Sequence, residues 1–306
     1  MRVVRLAAIS LASAAAAAGL GLFVYANVQL GSARSVDARL DDAIARGLDF
    51  LDRGDRFAIG QERGGHPPVE VWLAKKILVH EDHPGFRRDV ERGWQLATRG
   101  PQGFLTALPG EPPRPLLPAD RERIELALKR HWSAGDESHA LFGRWVIYAL
   151  HPRFRDRIPG DFEVLLSETW DVSNGYKLTH RLFTYRLMLA LHPELARSLG
   201  IPRRAERARR RMVLEMFLDF RLSDLYFERL AFLQESRDAH RIRSRWIERV
   251  LLDQNDDGGW AFAPSLACEL RRMARLDCAR GRSGSHPTFL AVYALVQYRD
   301  RPGPPP

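Results

Sequence analysis

Two stretches of this chain repeat one another. "SHALFGRWVIYALHP" begins at Ser138 and "THRLFTYRLMLALHP" at Thr179, 41 residues later. Ser138/Thr179, His139/His180, Leu141/Leu182, Phe142/Phe183, Ala149/Ala190, Leu150/Leu191, His151/His192 and Pro152/Pro193 fall in register. A repeat of this size is one helical hairpin used again. Each copy opens on a hydroxyl residue suited to an N-cap. Each closes on His, which suits the negative end of a helix dipole, and then on Pro, which stops the helix.

Other segments carry parts of the same grammar. "GGHPPVEVWLAKKILVHEDHP" (64–84) opens on Gly-His-Pro, "GSHPTFLAVYALVQY" (284–298) on Ser-His-Pro, and "LSDLYFERLAFLQ" (222–234) on Ser223-Asp224. Five helices are therefore expected to start alike, with His66, His139, His180, Asp224 and His286 at the first helical position. "ALFGRWVIYAL" is apolar nearly all round, as in a helix buried on most sides. "VDARLDDAIARGLDFLDR", "RRDVERGWQLATR", "DRERIELALKRHW" and "RSRWIERVLLDQ" are apolar on one face only. Buried and half-exposed helices alternating at this period predict two concentric layers. The fold class expected is all-α: an α/α toroid of about six hairpins over residues 33–300, with no convincing strand. "LPGEPPRPLLPAD" (108–120) reads as a loop between hairpins, since its five prolines forbid a helix. Residues 301–306 read as a Pro-rich tail.

Arg2 and Arg5 precede an uncharged run from Leu6 to Ser32. The length of that run predicts a transmembrane helix over residues 1–32. The basic flank places the globular part on the exported side of the cell membrane, periplasmic or extracellular. A cleaved signal peptide ending at Ala26 is the competing reading. The net charge of +9 invites a nucleic-acid partner, but only Lys75, Lys76, Lys129 and Lys177 are lysines. An Arg-dominated excess beside abundant Ala, Gly and Pro reflects codon bias, and no nucleic acid is expected. The dense run Arg203–Arg211 reads as a solvated helix face, or as a contact for anionic lipid or glycan.

"RWIERVLLDQNDDGGWAF" followed by "SHPTFLAVYALVQY" resembles a repeat of the terpenoid cyclase and protein prenyltransferase superfamily. In that superfamily an outer helix ends in a Gln-x-x-x-Gly-x-Trp turn and an inner helix follows. Here the turn is Gln254 to Gly258 to Trp260. The resemblance implies an α/α toroid. The Asp-x-Asp-Asp motif of the squalene-type cyclases is missing from this turn. Cys278 before His286 does not complete the prenyltransferase zinc set, so the likeness carries over a fold and no catalytic residue. The residues themselves explain the turn: Gly258 and Gly259 can take positive φ, Gln254 can satisfy helix-end backbone groups, and Trp260 covers the junction.

Parallel inner helices would bring His66, His139, His180, Asp224 and His286 to one rim. Imidazoles and a carboxylate gathered there could hold Zn²⁺ or form an acid–base set, or simply space neighbouring hairpins. His83, His151 and His192 read as C-terminal caps. "TWDVSNGYKLTH" adds Asn174 and Tyr176, on the loop feeding His180; with His139 these give His139, His180, Asn174 and Tyr176 as catalytic candidates of the kind seen in α/α-barrel polysaccharide lyases. Asp136, Glu137 and Glu168 could supply paired carboxylates for glycoside hydrolysis. "DQNDDG" fails as an EF-hand, because its twelfth position is Pro264. Cys268 and Cys278 read as a disulfide, given an exported domain.

Two functional classes follow. One is a toroid that binds a small molecule, glycan or protein partner at its mouth. The other is an enzyme on a glycan or an amphiphilic, isoprenoid-like substrate, as lyase, hydrolase or divergent cyclase. The first is preferred on sequence, because no catalytic signature matches in full.

Overall fold

The computed structural model describes residues 20–21, 24, 33–53, 69–99, 118–129, 137–157, 159–167, 175–219, 223–235, 239–262 and 281–301. These residues are overwhelmingly helical: α1 (Ala33–Asp52), α2 (Val69–Leu78), α3 (Pro84–Arg99), α4 (Pro118–Lys129), α5 (Glu137–Leu150), α6 (Pro159–Leu166), α7 (Tyr176–Leu191), α8 (Pro193–Ser198), α9 (Ile201–Leu218), α10 (Asp224–Gln234), α11 (Ser244–Leu252) and α12 (Ser285–Arg299). Two short strands, Trp260–Ala261 and Ser283–Gly284, pair antiparallel and bracket the segment before α12. Their pairing departs from the strand-free reading.

The two kinds of helix take the places their patterns dictate. Every residue of α10 is buried, as is every residue of α12 from Pro287 to Val296. In α1 the apolar residues recur every three or four positions. That helix buries Val36, Leu40, Ile44 and Leu51 and turns Asp37, Asp41, Asp42 and Asp49 to solvent. The all-round apolar helices pack in series: α5 on α7, α7 on α10, α10 on α12, and α12 on α2. The one-sided helices lie against this series, α9 on α7 and α10, α11 on α12, and α3 on α2. Helix α1 packs on α12 and α11, so the first hairpin lies beside the last.

Aromatic rings fill the space the buried helices share. Trp72 of α2 meets Phe183 of α7 edge-on at 5.2 Å and Tyr293 of α12 at 6.1 Å. Phe183 also meets Phe142 of α5 at 5.7 Å and Phe232 of α10 at 5.9 Å. Rings from five helices thus form one apolar layer between them.

The Gln254 turn does structural work. Gln254 Nε2 donates to Ala43 O (2.8 Å) and Gly258 O (2.9 Å), and Arg46 donates to Gln254 Oε1 (2.8 Å). The side chain therefore ties the end of α11 to α1. Gly258 has φ +90, and a Cβ there would sit 2.3 Å from Arg46 O. Only Gly258 of the two turn glycines takes positive φ; Gly259 instead lets the chain approach Ser283. Trp260 is fully buried and donates its indole N–H to Val250 O. The acids of the turn serve it internally, with Asp257 Oδ1 accepting from Gly259 N and Ser283 Oγ.

Other expectations change. No helix among the described residues is long and apolar enough to cross a membrane. That overturns the single-pass anchor and, with it, the placement of the domain across a cell membrane. The long helix that starts at Ala33 is amphipathic, with charges along one face. Residues 1–19, 22–23 and 25–32 of the apolar run lie outside the described residues, as do Cys268, Cys278 and the tail beyond Arg301. The loop expected at 108–120 gives way to helix from Pro118, proline being well suited to a first helical turn.

The shared helix starts are also out of step. Asp224 is the first residue of α10 and His286 the second of α12, but His139 is the third of α5 and His180 the fifth of α7. Thr179 is no cap: it lies inside α7, where its hydroxyl bonds Tyr176 O. His192 does end α7, its N–H bonding Met188 O. His83 ends nothing; its Nδ1 accepts from Phe86 N and so caps the start of α3.

Candidate functional site

The N-terminal turns of α2, α7, α10 and α12 bring six polar side chains together. Asp224 and Glu228 stand one turn apart on α10, which places both carboxyls on one face of a fully buried helix. Tyr176, at the start of α7, donates its hydroxyl to Asp224 Oδ2 at 3.2 Å. His286 of α12 reaches the same oxygen, Nε2 to Oδ2 3.6 Å, while its Nδ1 lies 3.6 Å from Glu70 Oε1 of α2. His180 Nε2 lies 3.7 Å from Glu228 Oε1.

The packing fixes these positions. Gly175 precedes Tyr176 and approaches α10 so closely that a Cβ would meet Leu225 Cδ2 and Arg229 Nη2 at 2.6 Å each. That close approach delivers the Tyr176 hydroxyl to α10. Arg229, next to Glu228, is anchored on Asp219 (2.6 Å) and Glu215 (2.8 Å). Phe142 stacks on the His180 ring, centroids 4.0 Å apart and 16° between planes. The ring is thereby held flat against α5.

Electrostatics separates the two carboxyls. Burial, and then the neighbouring Asp224 charge, pushes the Glu228 carboxyl up to about 8; a hydrogen bond to Thr179 and the charge of His286 pull only partly the other way. Glu228 therefore carries its proton at neutral pH. Its Oε2 is buried with no hydrogen-bond partner among the described residues. His286 is opposed by burial, yet the charge of Asp224 and the contact with Glu70 outweigh it and raise the ring to about 9. Burial and the two carboxyls of α10 raise the Tyr176 phenol as well, so it stays a donor. The arrangement holds a protonated acid beside a carboxylate gripped by a phenol and an imidazolium. Such pairs suit proton transfer. Tyr176, His286 and Glu70 are its half-buried members, the last two exposing 27% and 20% of their side chains.

The sequence named Tyr176, His180, Asp224 and His286, and the structure brings all four together. Of the remaining candidates, His66 and Asn174 lie outside the described residues, as do Asp136 and Glu168; His139 lies in the first turn of α5, and its side chain and that of Glu137 are likewise outside them. Among the described residues, no group of three or more His, Cys, Asp or Glu is arranged to hold a metal ion. Sequence reading missed Glu228 and Glu70. Glu228 had a usable signal, an acid four residues after Asp224 in a mostly apolar helix. Compared with known proteins, the chain matches no family model, no curated protein and no solved structure.

Proposed function

We propose that this chain is an α/α toroid acting as a glycan hydrolase, with its site at the N-terminal mouth of the inner helices. The toroid reading is supported by the series α5, α7, α10, α12, α2 and by α1 lying against α12 and α11. The catalytic reading is carried by one observation: two carboxyls, Asp224 and Glu228, stand one turn apart on a buried helix, with Tyr176 and His286 on Asp224 and burial pushing Glu228 up to about 8. Glycoside hydrolysis needs two such groups. Glu228 would give its proton to the leaving glycosidic oxygen as the carbon–oxygen bond breaks. Asp224 would take a proton from the water that attacks the same carbon. Tyr176 and His286 fix the carboxylate that does so. The sugar would enter over His286 and Glu70. This reverses the preference drawn from sequence, because the candidates gather on the two carboxyls of α10 rather than spacing the hairpins apart.

The test is release of reducing ends from a panel of plant, fungal and bacterial polysaccharides, with Glu228→Gln as the control variant. Turnover that declines above about pH 8 and falls at least 100-fold in Glu228→Gln is expected. Saturable glycan binding with no turnover on any of them would overturn the catalytic reading and leave a ligand-binding toroid.

A further inference from the structure

The opposite end of the same helices holds a cleft of about 560 Å³, lined among others by Trp72, Lys76, Phe183, Arg186, Tyr293 and Arg301. It lies beyond the aromatic layer, so the acid–base cluster and the cleft sit back to back. Its floor is the edge-on pairing of Trp72 with Phe183 and Tyr293, an apolar surface large enough for a ring or a short chain.

The charges around the cleft differ in how far they are already used. Glu235 accepts from Arg186 and from the Tyr293 hydroxyl. Asp300 is held by His80 at 2.8 Å and by Arg299 at 2.7 Å. Arg186 also donates to Phe232 O (2.5 Å) and Gln297 to Ala231 O (3.5 Å), so two carbonyls from the last turn of α10 carry side-chain donors in addition. The negative groups and the negative end of α10 are thus answered from within. Two cations are less committed. Lys76 Nζ makes a long ion pair with Glu235 Oε1 at 3.9 Å and lies 5.7 Å over the Trp72 ring, and Arg301 is 3.8 Å above the Tyr298 ring. Both keep donors for an incoming acid group.

We propose that this cleft binds a small amphiphilic organic anion, its apolar body on Trp72, Phe183 and Tyr293 and its acid group on Lys76 and Arg301. The site is independent of the hydrolase reading, since it shares no residue with the acid–base cluster. Decanoate, decyl sulfate and decyltrimethylammonium, each below its micellar concentration, are titrated calorimetrically into the full chain. The two anions should bind with a stoichiometry of one and at least tenfold more tightly than the cation. Lys76→Ala should weaken decanoate at least tenfold and Lys76→Arg should restore it, while Glu228→Gln should leave it unchanged. Circular dichroism melting of each variant separates a lost contact from a lost fold: Lys76 is about one-third exposed, so its variants are expected to melt with the parent. Equal binding of the anions and the cation, unchanged affinity in folded Lys76→Ala, or loss of binding in Glu228→Gln would each overturn the proposal.

Discussion

His286 Nε2 stands 3.6 Å from Asp224 Oδ2, and this contact joins the last buried helix to its neighbour at the end where the acid groups gather. The imidazole faces two carboxylates from different helices, Asp224 on one side and Glu70 on the other. Burial works against the imidazolium and the carboxylates win, so the ring is raised to about 9. An ordinary histidine titrates near 6.5. The His286 ring resonances, followed by NMR, should therefore remain those of the imidazolium through neutral pH and shift only toward pH 9. Glu70→Gln should lower that midpoint by removing one of the two carboxylates. A midpoint at or below 6.5 in the parent chain would mean that burial prevails.

Glu228 sets a second pH dependence, in stability. Its carboxyl is raised to about 8 in the folded chain, whereas an unfolded Glu ionises near 4.3. Between those values the folded state holds a proton that the unfolded state has released. Stability is therefore highest below the unfolded value and declines as pH rises through this window, by up to about 1.4 kcal/mol per pH unit. His286 adds to the decline from about pH 6.5 to 9, because its raised value favours the folded state only while the ring is charged. Urea melts at pH 5, 6.5 and 8 should show this loss. Glu228→Gln, neutral at every pH, should flatten the slope between pH 5 and 8 and match or exceed the parent in stability at pH 8.

The helical class was legible in the 41-residue echo, because an apolar pattern complete around a helix has only one place to go. The two echoed helices, α5 and α7, do pack on each other. Exact starts were not legible. Helix α7 begins at Tyr176, three residues before the expected hydroxyl cap, because Gly175 lets the chain close on Leu225 and Arg229 of α10. That approach depends on a partner helix and leaves no local signal. Three of the site residues, His180, Asp224 and His286, could be named from repeated helix openings, and Tyr176 from the loop that precedes His180. Glu70 could not, because nothing in "VEVW" separates an acid facing His286 from one that answers a helix dipole.

Arg229 gives a test of the scaffold behind the site. It is buried, and its two terminal nitrogens bond Asp219 and Glu215. Asp219 is itself only 8% exposed. Replacing Arg229 with Met roughly keeps the volume and removes a buried ion-pair partner from Asp219, a loss of up to about 3–5 kcal/mol. The double variant Arg229→Met/Asp219→Asn should recover part of that loss in urea melts. An Arg229→Met chain as stable as the parent would show that the ion pair is open to water.

Gln254 tests whether the first and last hairpins depend on one another. Its amide nitrogen serves Ala43 O in α1 and Gly258 O in its own turn, and its oxygen accepts from Arg46. Gln254→Ala leaves these backbone carbonyls short of a donor in a buried junction, a loss of about 2–3 kcal/mol. In a chain of this size that corresponds to a fall in Tm on the order of 5–10 °C. Gly258→Ala should be at least as damaging, because φ +90 disfavours a side chain and the new Cβ would press on Arg46 O. If α1 seals the structure against α11 and α12, both variants should speed amide hydrogen exchange in α1 as well as in the turn. Exchange confined to the turn would mean that α1 holds its place by apolar packing alone, through Leu40, Ile44 and Leu51.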